Sequence, residues 1–207
     1  MLRVFTKEAD TEHDIHPLLR RRWSPRAYSD LPVEPDKLLR IFEAARWSPS
    51  SSNLQPWSFI IGFKGDDTYA KIFDTLVEFN QIWSINAPVL VLSVGCKIRP
   101  GKEEINESYR YDVGQAVAHL SIQAMEEGLY VHQMGGFDPA KAIRLFDIPA
   151  MYNPITAFTI GYIGDAAILP ERMAESEVKK RERKSISTFV FSGTYGQAAP
   201  LVSGNQS

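Results

Sequence analysis

Apolar residues recur along this chain with two different periods, and the places where one gives way to the other mark out its elements. After Pro35-Asp36, residues Leu38, Leu39, Ile41, Phe42 and Ala45 return at three- and four-residue steps until Pro49, the spacing of an amphipathic helix. A shorter helix is expected upstream, around His16 to Trp23. The run Pro56 to Phe63 is β-prone and is stopped by Lys64-Gly65-Asp66-Asp67, with Asp67 placed to cap a helix through Leu76. Pro88 to Val94 is apolar almost without interruption, as suits a strand buried on both faces. Ser108 to Glu127 is the longest predicted helix, and Gly128 supplies its stop. On it Tyr109, Val113, Ala116, Val117, Leu120 and Ala124 form one stripe, and Ala118, Ile122 and Met125 a second. Such a helix is covered on two sides, within a core or against a partner subunit. A strand at Tyr130 to Met134, a helix start at Asp138-Pro139 and a strand from Ile155 to Ile163 follow.

Strands alternating with helices exclude an all-α protein and leave α/β or α+β. The end of the chain reads differently. Glu171 to Lys184 is charge-rich and helical in pattern, and Ile186 to Phe191 is β-prone with no hairpin partner beside it. That strand must pair across the domain or on another chain. No repeat and no Pro-rich or Gly/Ser-rich linker divides the 207 residues, so one domain over 1–207 with a short C-terminal extension is expected.

Composition removes several function classes. With 23 Lys+Arg against 25 Asp+Glu, the net charge of −2 supplies no global field toward nucleic acid or an anionic membrane, so neither is expected as a partner. A single cysteine, Cys96, forms no internal disulfide, and His13, His16, His119 and His132 have no cysteines at zinc-ligand spacing. No metal site is expected; Cys96, Trp57, His119 and His132 read as packing or structural residues. The N-terminal stretch is charged and lacks the apolar segment of a secretory signal, and the apolar run Ala87 to Val94 is far short of the ~20 residues a membrane helix needs. A soluble, cytoplasmic protein is the expectation.

The chemistry is narrowed first by elimination. The chain has no G-x-G-x-x-G after a strand, no G-x-x-x-x-G-K-[ST], no G-x-S-x-G and no H-E-x-x-H. What stands out is Arg20, Arg21, Arg22 and Arg26 with no acid among them, and the run Lys179-Lys180-Arg181-Glu182-Arg183-Lys184. Taken alone, each cluster reads first as a solvated helix end; together the two could grip one phosphate, since the planar guanidinium fork matches phosphate oxygens in pairs. Between them lies Ser48-Pro49-Ser50-Ser51-Ser52-Asn53-Leu54-Gln55-Pro56-Trp57, a turn rich in small hydroxyls and amides.

Arg22-x-Ser24-x-Arg26, then Ala45 and Ser48-Pro49-Ser50-Ser51-x-Asn53-x-Gln55-Pro56-Trp57, then Gly135-Gly136-Phe137-Asp138, then Arg181-x-Arg183-Lys184 resemble the nitroreductase family of flavoproteins in order and spacing, from about residue 16 to 196. The serine-rich element is the specific one. The resemblance implies an α+β fold, a four-stranded antiparallel sheet flanked by helices, in a homodimer whose C-terminal strand (about 186–191) is exchanged into the partner's sheet. FMN would sit at the interface. By the same resemblance Arg22, Trp23, Ser24, Arg181 and Arg183 would surround its phosphate and ribityl chain, and Arg26 and Asn80 would meet the pyrimidine edge of the ring. Gln133, Met134, Gly135 and Gly136 would lie beside the ring, with a backbone N–H near N5. Pro49, Ser50, Ser51 and Asn53 would reach it from the other subunit, and Phe79 and Trp83 would line the substrate cavity.

The implied activity is an FMN-dependent oxidoreductase. NAD(P)H would deliver hydride to the flavin, leave, and be replaced by a small-molecule electron acceptor such as a nitroaromatic, a quinone or another conjugated electrophile, in ping-pong order. No side chain would act as a nucleophile or as a catalytic acid or base. Some members carry an acid where Gly135 stands and a lysine where Trp83 stands, so the NADH or NADPH preference does not transfer. Reductive dehalogenation and flavin fragmentation on the same scaffold, and a non-catalytic protein binding a phosphorylated ligand, are the alternatives.

Overall fold

The computed structural model describes residues 7–203; the first six residues of the N-terminal stretch lie outside the described residues. Its centre is a four-stranded antiparallel sheet in the order β1-β2-β4-β3, built from β1 (Trp57–Phe63), β2 (Val89–Cys96), β3 (Tyr130–Met134) and β4 (Tyr152–Gly161). β1 pairs with β2 from Trp57↔Gly95 to Phe63↔Val89, and β3 pairs with β4 from Tyr130↔Gly161 to Met134↔Ala157.

The apolar run of β2 is buried on both faces because helices cover both. Leu90, Leu92 and Val94 point into one core with Tyr69, Ile72, Trp83, Met134 and Ala142. Val89 and Val91 point into the other with Ile41, Ala45, Val113, Val117 and Leu120. α1 (Pro17–Arg21) precedes α2 (Pro35–Arg46), and α3 (Asp67–Thr75) and α4 (Glu78–Ser84) connect β1 to β2. α5 (Tyr109–Glu126) packs with α2 on the second core, while α3 and α6 (Pro139–Leu145) pack on the first. α7 (Glu171–Val178) and a short α8 (Pro200–Ser203) complete the α-helices among the described residues. None of these helices is long and apolar enough to cross a membrane.

Several boundaries move, each for a physical reason. The cap before α3 is Asp66, one residue earlier than expected: its carboxylate accepts from Tyr69 N at 2.6 Å and Phe63 N at 2.9 Å, closing the turn as well as the helix. β4 begins at Tyr152 although Pro154 lies within it, because the β2–β4 register shifts between Ser93 and Val94, and the irregularity absorbs the proline's missing N–H. α4 has no counterpart among the predicted elements; at seven residues it carries too few turns to show a period.

On α5 the first stripe is buried throughout, but the second is not one surface. Met125 is buried, Ile122 is half-buried and Ala118 is exposed, beside Tyr111, Gly114 and His119. Gly128 at φ +74° makes the expected stop, in a conformation that costs other residues strain.

The C-terminal expectations need the largest corrections. α7 ends at Val178 rather than Lys184: Lys179 turns to extended backbone, and the cationic run that follows leaves the helix, where stacked like charges would repel. Ile186 to Phe191 is not a strand in the single chain. Ile186–Thr188 is a 3-10 turn, and Phe191 forms an isolated bridge with Ala198, since no ladder is within reach of the run.

Candidate functional site

The two basic clusters, far apart in sequence, meet in space. Arg181 donates through its two terminal nitrogens to the carbonyls of Arg22 (2.5 Å) and Arg20 (2.7 Å). From α7 one carboxylate oxygen of Glu177 accepts from the backbone N–H groups of Arg26 (2.6 Å) and Ala27 (2.9 Å). Lys7 Nζ donates to the carbonyls of Ser176 (3.3 Å) and Glu177 (2.8 Å), tying down the end of α7. Residues 20–27 and 176–183 are therefore stitched side by side, and Arg22, Arg26, Arg181 and Arg183 share one region.

Electrostatically this is a costly arrangement. Burial, and then the neighbouring Arg183, push the Arg22 guanidinium below its ordinary pKa. Burial, then Arg22 and Arg183, do the same to Arg181. The Nε atoms of Arg26 and Arg181 are buried with no hydrogen-bond partner among the described residues. Buried donors and crowded cations of this kind are stabilised by an anion that accepts from several of them at once. Ser24 accepts from Arg22 at 3.4 Å, and Trp23 packs edge-on against Tyr130 beneath.

The end of β3 joins this region. His132 stands between the cations and the core: its Nδ1 lies 2.8 Å from the carbonyl of Pro25 and its ring 4.4 Å from that of Trp83. Burial, with Arg26 and Arg22 adding to it, pushes the imidazole down to about 4, so the ring is neutral at pH 7. Gln133 is exposed, Met134 is buried, and Gly135 follows with open space where a Cβ would stand. At Gly136 a Cβ would lie 2.8 Å from both Asn80 Nδ2 and Val77 Cγ2. Only glycine allows the approach in which its carbonyl accepts from Asn80 Nδ2 at 2.9 Å and Val77 N at 3.1 Å. One helical position before Asn80, the exposed ring of Phe79 carries the Arg26 guanidinium at 5.8 Å.

The serine-rich segment is held elsewhere. Ser48 Oγ lies 2.8 Å from His119 Nδ1, and the Ser51 N–H donates to the buried carboxylate of Asp112 at 3.2 Å, so two residues of α5 fix the loop. Within it Ser52, Asn53 and Gln55 all have positive φ (51°, 54° and 48°), and Ser50 Oγ accepts from Gln55 N at 3.0 Å. Pro49 and Asn53 are exposed. No hydrogen bond or ion pair among the described residues joins this loop to the arginine region.

The residues singled out in the sequence thus fall into two groups. Arg22, Trp23, Ser24, Arg26, Phe79, Asn80, Gln133 to Gly136, Arg181 and Arg183 belong to one, and Pro49, Ser50, Ser51 and Asn53 to the other. Trp83 is a correction: it is fully buried, stacked between Tyr28 and His132, and lines no surface. An indole this deep is core, and Phe79 alone of the pair is exposed. Glu177, Asp112 and His132 were not foreseen as site residues. Each acts on its neighbours through backbone groups or burial, which residue type and spacing do not reveal. A cavity of about 1000 Å³ lined by Tyr28, Leu31, Met125, Tyr130 and Tyr162 contains none of the candidate residues.

Comparison with known proteins decides which family these residues belong to. A family model for the nitroreductase family matches residues 19–82, the span holding the arginine run, the serine-rich loop and Asn80. A solved structure described as an oxidoreductase containing FMN superimposes with a TM-score of 0.85 at 32% identity, covering 93% of this chain and 98% of that one. The chain belongs to the nitroreductase family. Among similar proteins, an uncharacterized 15.4 kDa protein of Mycolicibacterium smegmatis is 30% identical over 146 residues, 67% of this chain and 97% of that protein. The Bacillus subtilis protein named FMN reductase [NAD(P)H] is 27% identical over 176 residues, 77% of this chain and 70% of its own length. The family's fold is the one seen here, a four-stranded antiparallel sheet flanked by helices, and its members support an oxidoreductase.

Proposed function

We propose that this nitroreductase-family protein is a homodimeric, FMN-dependent oxidoreductase that uses NAD(P)H to reduce nitroaromatic, quinone or related conjugated electrophiles. The observation that carries the cofactor assignment is the convergence of Arg22, Arg26, Arg181 and Arg183, with two guanidinium Nε atoms buried and without partners. A phosphomonoester would fit that set of donors, since each of its oxygens can accept from more than one N–H group. Bound FMN supplies two-electron chemistry, the transfer of a hydride equivalent between a pyridine nucleotide and an acceptor.

Each group of residues then has a task. Arg22, Ser24, Arg181 and Arg183 hold the phosphate end. Arg26, braced on Phe79, and Asn80, fixed on Gly136, meet the polar edge of the ring, where a cation favours the negative charge of the reduced state. Gln133 to Gly136 border it, and Gly135, lacking a Cβ, leaves the approach to a backbone N–H clear.

The reading also places the serine-rich loop on the cofactor of a second copy. The loop's separation from the arginine group supports this, as do exposed apolar residues along the faces a partner would cover: Leu39 and Trp47 near α2, Tyr111 on α5, and Phe189, Tyr195 and Leu201 in the C-terminal segment. Ile186 to Phe191 would become a strand only on an edge of the partner's sheet, β1 or β3.

The test is to purify the protein without added flavin, record its absorbance and identify any chromophore released by heat. Release of FMN near one per chain, and oxidation of NADH or NADPH that depends on an added quinone or nitroaromatic, are the expected results. A colourless protein that takes up no added FMN overturns the reading. A phosphoryl ligand bound without redox activity would leave the non-catalytic alternative in its place.

A further inference from the structure

Glu177 is the only carboxylate buried among the cations of the arginine region within the described residues, and nothing above assigns it a role in function. It is 3% exposed at the end of α7. One oxygen accepts from two consecutive backbone amides, Arg26 N at 2.6 Å and Ala27 N at 2.9 Å. Lys7 lies within electrostatic range of Glu177, Arg181 and Arg26, with Glu177 the strongest of the three. Glu8, the acid that acts on Arg181, is exposed and therefore screened by water.

Two consequences follow from this position. The carboxylate is a clamp, because a bond to two successive amides fixes the peptide plane from which the Arg26 side chain departs. It is also a counter-charge, because a buried negative group offsets part of the field with which the cations attract an anion.

We propose that Glu177 is a positioning residue of the flavin site: it aims Arg26 through the backbone while holding the anion affinity of the arginine cluster below its maximum. The inference rests on the FMN reading above. It gives a role to an acid that is deeply buried in a region otherwise rich in cations. A purely structural acid would affect stability alone; this one sets ring recognition and phosphate recognition separately.

The two effects are separable by substitution. Glu177→Gln keeps an oxygen acceptor at the same reach and removes the charge. Glu177→Asp keeps the charge but is one methylene shorter, and cannot hold both amides without moving the backbone. The full-length apoprotein of each form is titrated with FMN and with riboflavin, which has the ring but no phosphate, and thermal unfolding is followed in parallel.

For Glu177→Gln, FMN is expected to bind about threefold or more tightly than to the wild type while riboflavin is unchanged, and the FMN affinity should fall more steeply with salt. For Glu177→Asp, both flavins are expected to bind about tenfold more weakly. Affinities that are unchanged in both variants, or that fall in both in step with the melting temperature, overturn the proposal. If Glu177→Asp does not fold, Glu177→Gln still decides, because an unaltered ratio of FMN to riboflavin affinity removes the counter-charge role. A wild-type protein that binds neither flavin fails the FMN reading itself, an outcome distinct from a flavin-binding wild type whose variants do not differ.

Discussion

On the arginine side of the candidate site, cations that repel one another are held together by side chains bonded to main-chain atoms: Arg181 on the carbonyls of Arg20 and Arg22, and the acid Glu177 on the amides of Arg26 and Ala27. On the serine side no charges are crowded, and the cost is conformational, with three non-glycine residues at positive φ between Ser52 and Gln55. The first region stores electrostatic energy, which an anion bound there would release. The second stores backbone strain, in a loop pinned at Ser48 and Ser51 by His119 and Asp112. The contrast suggests different purposes: a region of crowded donors selects its ligand by charge, whereas a strained loop presents small groups at a fixed place without adjusting to what arrives.

The arginine side is where substitution should have the largest effect. Arg181→Ala removes a cation and both bonds to residues 20 and 22, and FMN affinity should fall by roughly a hundredfold or more, the loss expected when charge-assisted bonds to a phosphate and the brace behind them go together. Riboflavin, lacking the phosphate, should lose much less. Titration of the apoprotein with both flavins measures the difference, and equal losses would show that Arg181 acts only by holding the backbone.

Next in size is a dependence of stability on pH that belongs to the same side. His132 has its folded-state pKa depressed to about 4 by burial beside Arg26 and Arg22. The unfolded chain, with its histidine near 6.5, binds the proton first, so the stability contributed by the neutral ring is complete above pH 6.5 and is lost as the pH falls toward 4. At 1.36 kcal/mol per pKa unit the loss is about 3 kcal/mol. Urea titrations at pH 7 and pH 4 should show it, and His132→Phe, which keeps a ring against Trp83 and cannot be protonated, should remove most of it.

These residues also show how far the sequence alone was informative. The sheet was legible because β2 is apolar without interruption and β1 and β3 are bounded by clear turns, and the arginine groups and the serine-rich element stood out by composition and order. Glu177 was not legible, because an acid in a charged helix looks the same whether it faces water or caps two distant amides. Trp83 was misread as lining a cavity, since α4 is too short to show which side faces the core. The run Ile186 to Phe191 has the composition of a strand but no neighbour within its own chain, and composition does not specify a partner.

The serine side should respond more weakly. Asp112→Ala leaves the Ser51 N–H without its buried acceptor and should cost about 1–2 kcal/mol of stability, while Asp112→Asn, which retains an oxygen there, should cost less. If the loop serves the cofactor of a second copy, Asp112→Ala should also weaken FMN binding several-fold. It should do so only under conditions where the protein is dimeric, as gel filtration at the titration concentration would establish.

The smallest expected effect, on Ser52, separates strain from contact. Ser52 is exposed at φ +51°, and its side chain makes no hydrogen bond among those found in the described residues. Left-handed backbone costs a non-glycine residue about 1–2 kcal/mol, and glycine gives back about 0.5–1 kcal/mol of that through its more flexible unfolded state, so Ser52→Gly should stabilise the protein by about 0.5 kcal/mol. Thermal unfolding at fixed protein concentration reads this directly. FMN affinity should be unchanged if the loop is held by Asp112 and His119. An increase in stability accompanied by weaker FMN binding would instead mean that the strain at Ser52 sets the position of its neighbours, and the serine side would then depend on conformational energy as the arginine side depends on charge.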